Sequence, residues 1–499
     1  MIEAFITNQR EKKEGVKWRP DYHFTAPYGW LNDPNGLIYY AGWYHLFYQY
    51  NPKHCEWASM HWGHAVSKNM VNWEDLPIAL TPDEAYDDDA EGGCFSGSAI
   101  EKDGILYLFY TATQHENGKV VQTQCMASSE DGVHFKKYAD NPVIKTPPEG
   151  ITEAFRDPKV FSYHDKWYMV VGASVGNPEL DGDGRVLLYE SEDFYHWNYK
   201  SSILESRNLL GTMFECPDFY PLGDKWILTC SPMKHPHNNK AMYCVGTMDF
   251  ESGQYQVETY GNMDQGFDYY APQSFLDRYG NRVTIGWQNG WLWMPWCDGF
   301  GPTSTENWRG ALSIPRRVTL TESGQLKFYP VEELNVLREK ISTLLQVQLK
   351  ENQKIELPTN RMNSYMLKVM IDEREVGAKE IRFGLMSHED EEAVITIDIA
   401  KKELIFDKSN ADVYGRGTVS CAVRFVKHNL ELLIAVDKSS IEIYINQGET
   451  CMTFNVYPEE KQVKCWVQSP GETGTVKLIE VMDMLNFREE KQVCRSGIQ

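Results

Sequence analysis

The stretch SKNMVNW at residues 67–73 recurs as SEDGVHF at 129–135 and again as SEDFYHW at 191–197, with the starting serines 62 residues apart both times. Constant spacing over three copies marks an internal repeat. Ahead of each copy lies a β-like apolar run: WYHLFYQY from Trp43, ILYLFYTA from Ile105 and KWYMVVGA from Lys166. KWILTC from Lys225 and RVTIGW from Arg282 continue the series after the serine motif has faded, and turn residues (YAGW, KDGI, YHDK, LGDK, RYGN) precede all five runs. Units of roughly sixty residues that cannot bury an apolar face alone must stack on one another, so the chain is all-β and its first part is expected to be a five-bladed β-propeller. A large β-sandwich is the alternative, but it requires no fixed period.

Each apolar run is preceded by a short segment at about the same phase: NDPNG, CFSGS, FRDPK, FECPD and YAPQS. Equivalent positions of successive blades converge on one axis, so Asp33, Asp157 and Glu215 become expected neighbours. Singly, each acid could cap a turn. Asp33 in WLNDPNG is followed by Pro34 and the turn-forming Asn35–Gly36, which suits that bland reading. Three carboxylates at one axial mouth would repel one another, however, and such crowding is tolerated chiefly where acids work.

Two carboxylates across a cleft are equipment for glycoside hydrolysis, one as nucleophile and the other as proton donor, while a third can grip sugar hydroxyls. Asp33 suits the nucleophile, because neighbouring turn amides should keep it ionised. Glu215 suits the acid/base, carried on a longer side chain among Met213, Phe214 and Cys216. Arg156 should keep Asp157 charged for hydroxyl binding, although adjacent side chains of a strand point apart.

At 499 residues the chain exceeds the usual reach of one core. Residues 1–19 read as an extension, 20–328 as the propeller, 329–339 (YPVEELNVLRE) as a short helical linker and 340–499 as a β-sandwich. The sandwich is expected from alternating runs such as YMLKVMI, VITIDI and IEIYI. No concentrated acid, His or Gly-rich constellation stands in that second part, whose expected role is structural, with a surface suited to homodimerisation. The formal charge of −22 argues against nucleic acid and anionic membranes as partners. MIEAFITNQREKKEGVKWRP lacks a signal-like apolar run, and the 11 cysteines form no CxxC pair, so a reducing cytoplasm is the expected setting. Aromatics make up 13% of the chain, which fits a site for a flat polar ligand such as a sugar.

The segments WLNDPNG, MHWGHAVSKNMVNWEDLPIAL (60–80), CFSGSA, FRDPKV, FECPDF, YYAPQSF with Gly286–Trp287, SIPRRVTL and VDKSSIEIYINQGE (436–449) together resemble glycoside hydrolase family 32, the family of invertases, sucrose-6-phosphate hydrolases, inulinases and levanases. The resemblance spans nearly the whole chain. It implies Asp33 as nucleophile, Asp157 as the fructose-gripping acid and Glu215 as acid/base, in agreement with the residue-level reading. It further implies Trp30, Leu31, Asn32, Gln49, Trp57, Phe95, Ser96 and Arg156 around the fructosyl unit, with Trp287 a candidate for the same wall. No cofactor or metal is implied. The chain departs from the family pattern at AYDDDAEGG (85–93) and TATQHENG (111–118), on the side expected to hold the leaving group.

His61 and His64 could form a metal pair but lack a third ligand, Cys216 lacks a base, and DGDG (181–184) is better read as a hairpin turn than as a calcium loop. The leading expectation is a retaining β-fructofuranosidase acting on sucrose, sucrose 6-phosphate or short fructo-oligosaccharides. A fructosyltransferase of the same family is the runner-up, and a fructan-binding propeller without catalysis is the rival from another class.

Overall fold

The computed structural model describes residues 2–6, 16–152, 154–235, 241–292, 294, 299–460 and 462–487. The apolar runs of the repeat form the second strand of five successive antiparallel sheets: Trp43–Asn51, Ile105–Glu116, Lys166–Val175, Lys225–Met233 and Arg282–Trp287. The segments ahead of them form the innermost strands Gly29–Tyr40, Gly93–Lys102, Phe155–Tyr163, Met213–Leu222 and Tyr270–Leu276. Each innermost strand touches the next, and the fifth returns to touch the first, so the sheets close a ring about one axis.

The serine motif has a local cause. At the end of each third strand, Ser67, Ser129 and Ser191 lie beside the carbonyl or carboxylate oxygens of Asn69, Asp131 and Asp193, whose side chains accept the backbone N–H groups that turn the chain into the fourth strand. The next residue, Met70, Gly132 or Phe194, takes positive φ. Asp249 repeats the turn in the fourth sheet without its serine, accepting from Glu251 N and Ser252 Oγ, which is why the signal fades from sequence before it fades from structure.

Neighbouring sheets share cores. Phe47 and Trp62 pack on Leu106, Leu108 and Tyr110; Phe109 and Met126 on Phe155 and Val160; Val170 and Leu188 on Phe214, Phe219 and Trp226. The ring is latched twice, by segments from the two ends of the propeller part. Phe24–Thr25 pairs with Ala311–Leu312, and Trp308–Arg309 pairs in parallel with Gly29–Trp30 of the first sheet.

The connector to the second domain is a six-residue 3-10 helix, Glu332–Leu337, shorter than 329–339: the propeller strand Leu326–Pro330 and the sandwich strand Arg338–Leu349 consume its ends. Two six-stranded sheets then enclose a core of Leu367, Val369, Ile381, Phe383, Ile395, Phe406, Ile434 and Ile443. No helix among the described residues is long and apolar enough to cross a membrane.

The second domain does carry a charged constellation, which the sequence reading missed because its members meet only across the domain interface. Asp437 accepts from Asp21 N (2.7 Å), Tyr22 N (2.9 Å) and His23 Nδ1 (2.8 Å). Glu442 pairs with His23 Nε2 (2.9 Å) and Arg316 Nη2 (2.7 Å), accepts from Ile314 N (2.9 Å) and takes a short hydrogen bond from the Tyr444 hydroxyl. Arg316 Nη1 completes the chain on Asp264 (2.9 Å).

Candidate active site

All five innermost strands slip register at the same height. Asn32–Asp33, Asp157–Pro158, Cys216–Pro217 and Ala271–Pro272 each stand opposite one residue of the neighbouring strand, and Ser96 is the extra residue of the second sheet. A bulge is where a strand can tolerate proline, which lacks the ladder N–H, so the repeated Pro of NDP, RDP, ECP and YAP marks the bulge. Asp157, Cys216 and Ala271 adopt positive φ there, turning side chains toward the axis. The three acids are therefore not at one phase, as their spacing suggests: Asp33 and Asp157 lie inside their bulges, whereas Glu215 is the last paired residue before its own.

The bulges bring Asp33, Asp157 and Glu215 to the floor of one cavity of about 560 Å³, also lined by Asn32, Gln49, Trp57, Phe95, Ser96 and Arg156. Asp33 is not wrapped in turn amides. Its Oδ2 accepts from Ser96 Oγ (2.6 Å) and lies 3.5 Å from the Cys216 thiol, while its Oδ1 is buried without a hydrogen-bond partner. Burial, with the Glu215 charge adding and Ser96 opposing, pushes its carboxyl up to about 6.

Asp157 accepts from Cys216 N (2.8 Å) and its own N–H donates to Thr111 Oγ1 (2.9 Å). Burial pushes it up to about 7; Arg156 opposes the shift, and the charges of Glu215 and Asp33 add to it. Arg156 does not pair with its neighbour Asp157. The guanidinium turns to Glu215 Oε1 through Nη2 (2.8 Å) and Nε (3.2 Å), as strand alternation favours, since consecutive side chains diverge. Tyr270 donates to the other Glu215 oxygen at 2.5 Å. Glu215 is thus held by a cation and a phenol rather than by the apolar flank its sequence neighbours suggested.

Two expected wall residues lie behind the wall. Trp30 and Leu31 are fully buried and do not line the cavity; Trp30 donates to Asn32 Oδ1 (2.7 Å) and stacks on Trp291, which does line it. Trp287 is likewise buried, at 5.0 Å from Trp291. Gln49 lines the cavity and anchors to Cys94 O (2.9 Å), and Trp57 meets Phe95 edge-on. His64 is a core residue 3.0 Å from His45 and stacked on Phe47.

Residues not singled out from sequence complete the cavity: Gln122, Met233, Trp291 and the Asn177–Pro178–Glu179 turn, with Glu91, Thr113 and His115 from the two departing segments. Gln122 Oε1 accepts from Phe155 N (2.9 Å), which fixes it beside Arg156. Only the ring geometry brings these positions together, and no local motif marks them. The segment 111–118 is not a loop but the end of strand Ile105–Glu116 and its hairpin turn, with Asn117 and Gly118 at positive φ.

Residues 23–330 match the glycosyl hydrolases family 32 N-terminal domain, and residues 333–483 match the glycosyl hydrolases family 32 C terminal. The chain is 32% identical over 482 residues to the sucrose-6-phosphate hydrolase of Zymomonas mobilis, covering 91% of each chain. It is 33% identical over 459 residues to the raffinose invertase of Escherichia coli, covering 90% of this chain and 91% of that one. Among solved structures, the sucrose-6-phosphate hydrolase from Lactobacillus gasseri superposes with a TM-score of 0.82 at 26% identity, covering 96% of this chain and 95% of the other. A Bombyx mori β-fructofuranosidase mutant in complex with sucrose superposes with a TM-score of 0.78 at 28% identity, covering 97% and 96%.

Proposed function

The chain belongs to glycosyl hydrolase family 32, and from that premise we propose that it is a retaining β-fructofuranosidase that releases terminal fructose from sucrose, sucrose 6-phosphate or short fructo-oligosaccharides. The observation that carries the reading is the convergence of three acids on one cavity floor, one of them with a buried carboxylate oxygen, Asp33 Oδ1, free of any hydrogen bond. An unpartnered lone pair in a desolvated setting is a good nucleophile.

Asp33 attacks the anomeric carbon of the fructosyl unit while the bond to the leaving oxygen breaks, and Glu215 delivers its proton to that oxygen. Water then adds to the same carbon as the Asp33 ester bond breaks, and its proton returns to Glu215. Asp157 grips fructosyl hydroxyls, most strongly as charge develops in the transition state. Arg156 and Tyr270, both committed to Glu215 in the free enzyme, must loosen their hold as the leaving oxygen arrives.

The test is incubation of the purified protein with sucrose, followed by NMR of the first-formed fructose. Release with retained configuration supports the proposal. Absence of turnover on every fructosyl substrate, or an inverted first product, overturns it; a dominant transfer product in place of free fructose assigns the transferase instead.

A further inference from the structure

We propose, resting on the fructosidase reading above, that the leaving-group rim of the cavity accepts an uncharged sugar and turns away a phosphorylated one, with Glu91 as a specificity-determining side chain and Asp89 as the residue that positions it. Beyond the three acids on the floor, the cavity is lined by two further carboxylates, Glu91 and Glu179. Among the described residues that line it, Arg156 is the one lysine or arginine, and its guanidinium is engaged by Glu215. Lys234, next in sequence to the lining residue Met233, pairs with Glu179 at 2.8 Å. His115 faces Asp89, its Nδ1 3.3 Å from both carboxylate oxygens.

The rim is built rather than merely acidic. Asp89 stitches the two segments that depart from the family pattern. Its Oδ1 accepts from Glu91 N (2.8 Å) and its Oδ2 from His115 N (2.8 Å), and these bonds hold its carboxyl below the ordinary range. Behind it Asp87, fully buried, accepts from Lys137 Nζ (2.7 Å) and the Tyr110 hydroxyl (3.0 Å), so residues 85–93 rest on a fixed support. The Glu91 backbone is thereby fixed where its side chain lines the cavity.

A phosphate group needs a guanidinium, an ammonium or several free N–H donors. Here it would meet carboxylates, in a chain whose formal charge is −22. The hydroxyls of an uncharged leaving sugar, by contrast, can donate to Glu91 and Glu179.

The test compares kcat/KM for sucrose and sucrose 6-phosphate at pH 7 and low ionic strength, in the native protein and in Glu91→Gln and Glu91→Lys. The expected native preference for sucrose is at least about tenfold, shrinking as salt screens the rim charges. It should narrow in Glu91→Gln and narrow further in Glu91→Lys. Asp89→Asn, which loosens the stitch, should narrow it by less than Glu91→Lys. Equal or preferred cleavage of the phosphorylated substrate by the native protein, or a ratio unmoved in both Glu91 variants, overturns the inference while leaving the fructosidase reading intact. Failure to cleave either substrate overturns the inference, and overturns the fructosidase reading as well only if short fructo-oligosaccharides are not cleaved either.

Discussion

Two buried clusters of acids in this molecule have opposite electrostatic characters. At the propeller mouth, Asp33 and Asp157 are pushed up to about 6 and about 7, and one Asp33 oxygen lacks a partner. At the interface between propeller and sandwich, Glu442 is held down to about 2 by the Arg316 charge and the His23 hydrogen bond, against the cost of burial. His23, between Asp437 and Glu442, is pushed up to about 9 by its hydrogen bonds to both, although burial alone would lower it. Burial is shared by the two sites, so the difference lies in the partners. The interface acids have cations and amides on their oxygens, whereas at the mouth Arg156 is spent on Glu215, Asp157 has a single amide, and Asp33 has neither. A site short of partners is ready for a ligand to supply them, at a cost in stability; a fully compensated network holds two domains together.

The comparison breaks most visibly through activity. Asp33→Ala is expected to reduce sucrose turnover by several orders of magnitude with the fold intact, and Asp157→Asn to be severely impaired, both read from initial rates beside circular dichroism. Near-normal turnover in Asp33→Ala would refute the assigned roles. Next in size, Glu442→Gln removes one of the two carboxylates that each of Arg316 and His23 faces and should destabilise the protein by about 3–5 kcal/mol in urea titration, with kcat/KM at 25 °C unchanged. Loss of activity without loss of stability in this variant would erase the distinction between the two clusters.

The pH dependence of stability sharpens the contrast further. Because the folded-state value for His23 lies above 6.5, its contribution is fully present below that pH and is lost as pH rises through about 9. Unfolding free energy should fall by up to about 3 kcal/mol across that window, and a His23→Gln protein should show a flatter profile. The smallest effect has the opposite sign. Asp33 is raised on folding, so its ionised form costs stability above about pH 4, increasingly up to about pH 6. Asp33→Asn should therefore be more stable than the native protein at pH 7 by about 1–3 kcal/mol, with the gap closing below pH 4. A destabilised Asp33→Asn would show that the mouth carries no such cost.

The propeller was legible because its information is local and repeated: apolar runs, the Ser-x-Asx turn and the proline of each bulge lie within a few residues of one another. The sandwich followed from alternation alone. The three acids were legible because the repeat carried them to one end of the ring. What sequence could not reveal depends on which side chains face one another across sheets. Arg156 reaches Glu215, 59 positions away, and not Asp157 beside it. Trp30 and Leu31 sit in the motif yet pack inside the wall, and His23 finds Asp437 and Glu442 over four hundred positions later. These pairings follow from ring closure and domain docking, for which no short-range pattern exists.

The double latch of the ring also sets an order in time. Phe24–Thr25 waits for Ala311–Leu312, and Asp21 to His23 wait for Asp437. During synthesis residues 21–25 are thus made early yet are among the last to find their partners, whereas Ile2 before them packs on Trp43, Val66, Leu76 and Val133 of the first two sheets. The first four sheets can assemble in sequence as they appear, but the axial mouth stays open on one side until the fifth has been made. The nascent enzyme is therefore expected to remain inactive until the fifth sheet has closed the ring.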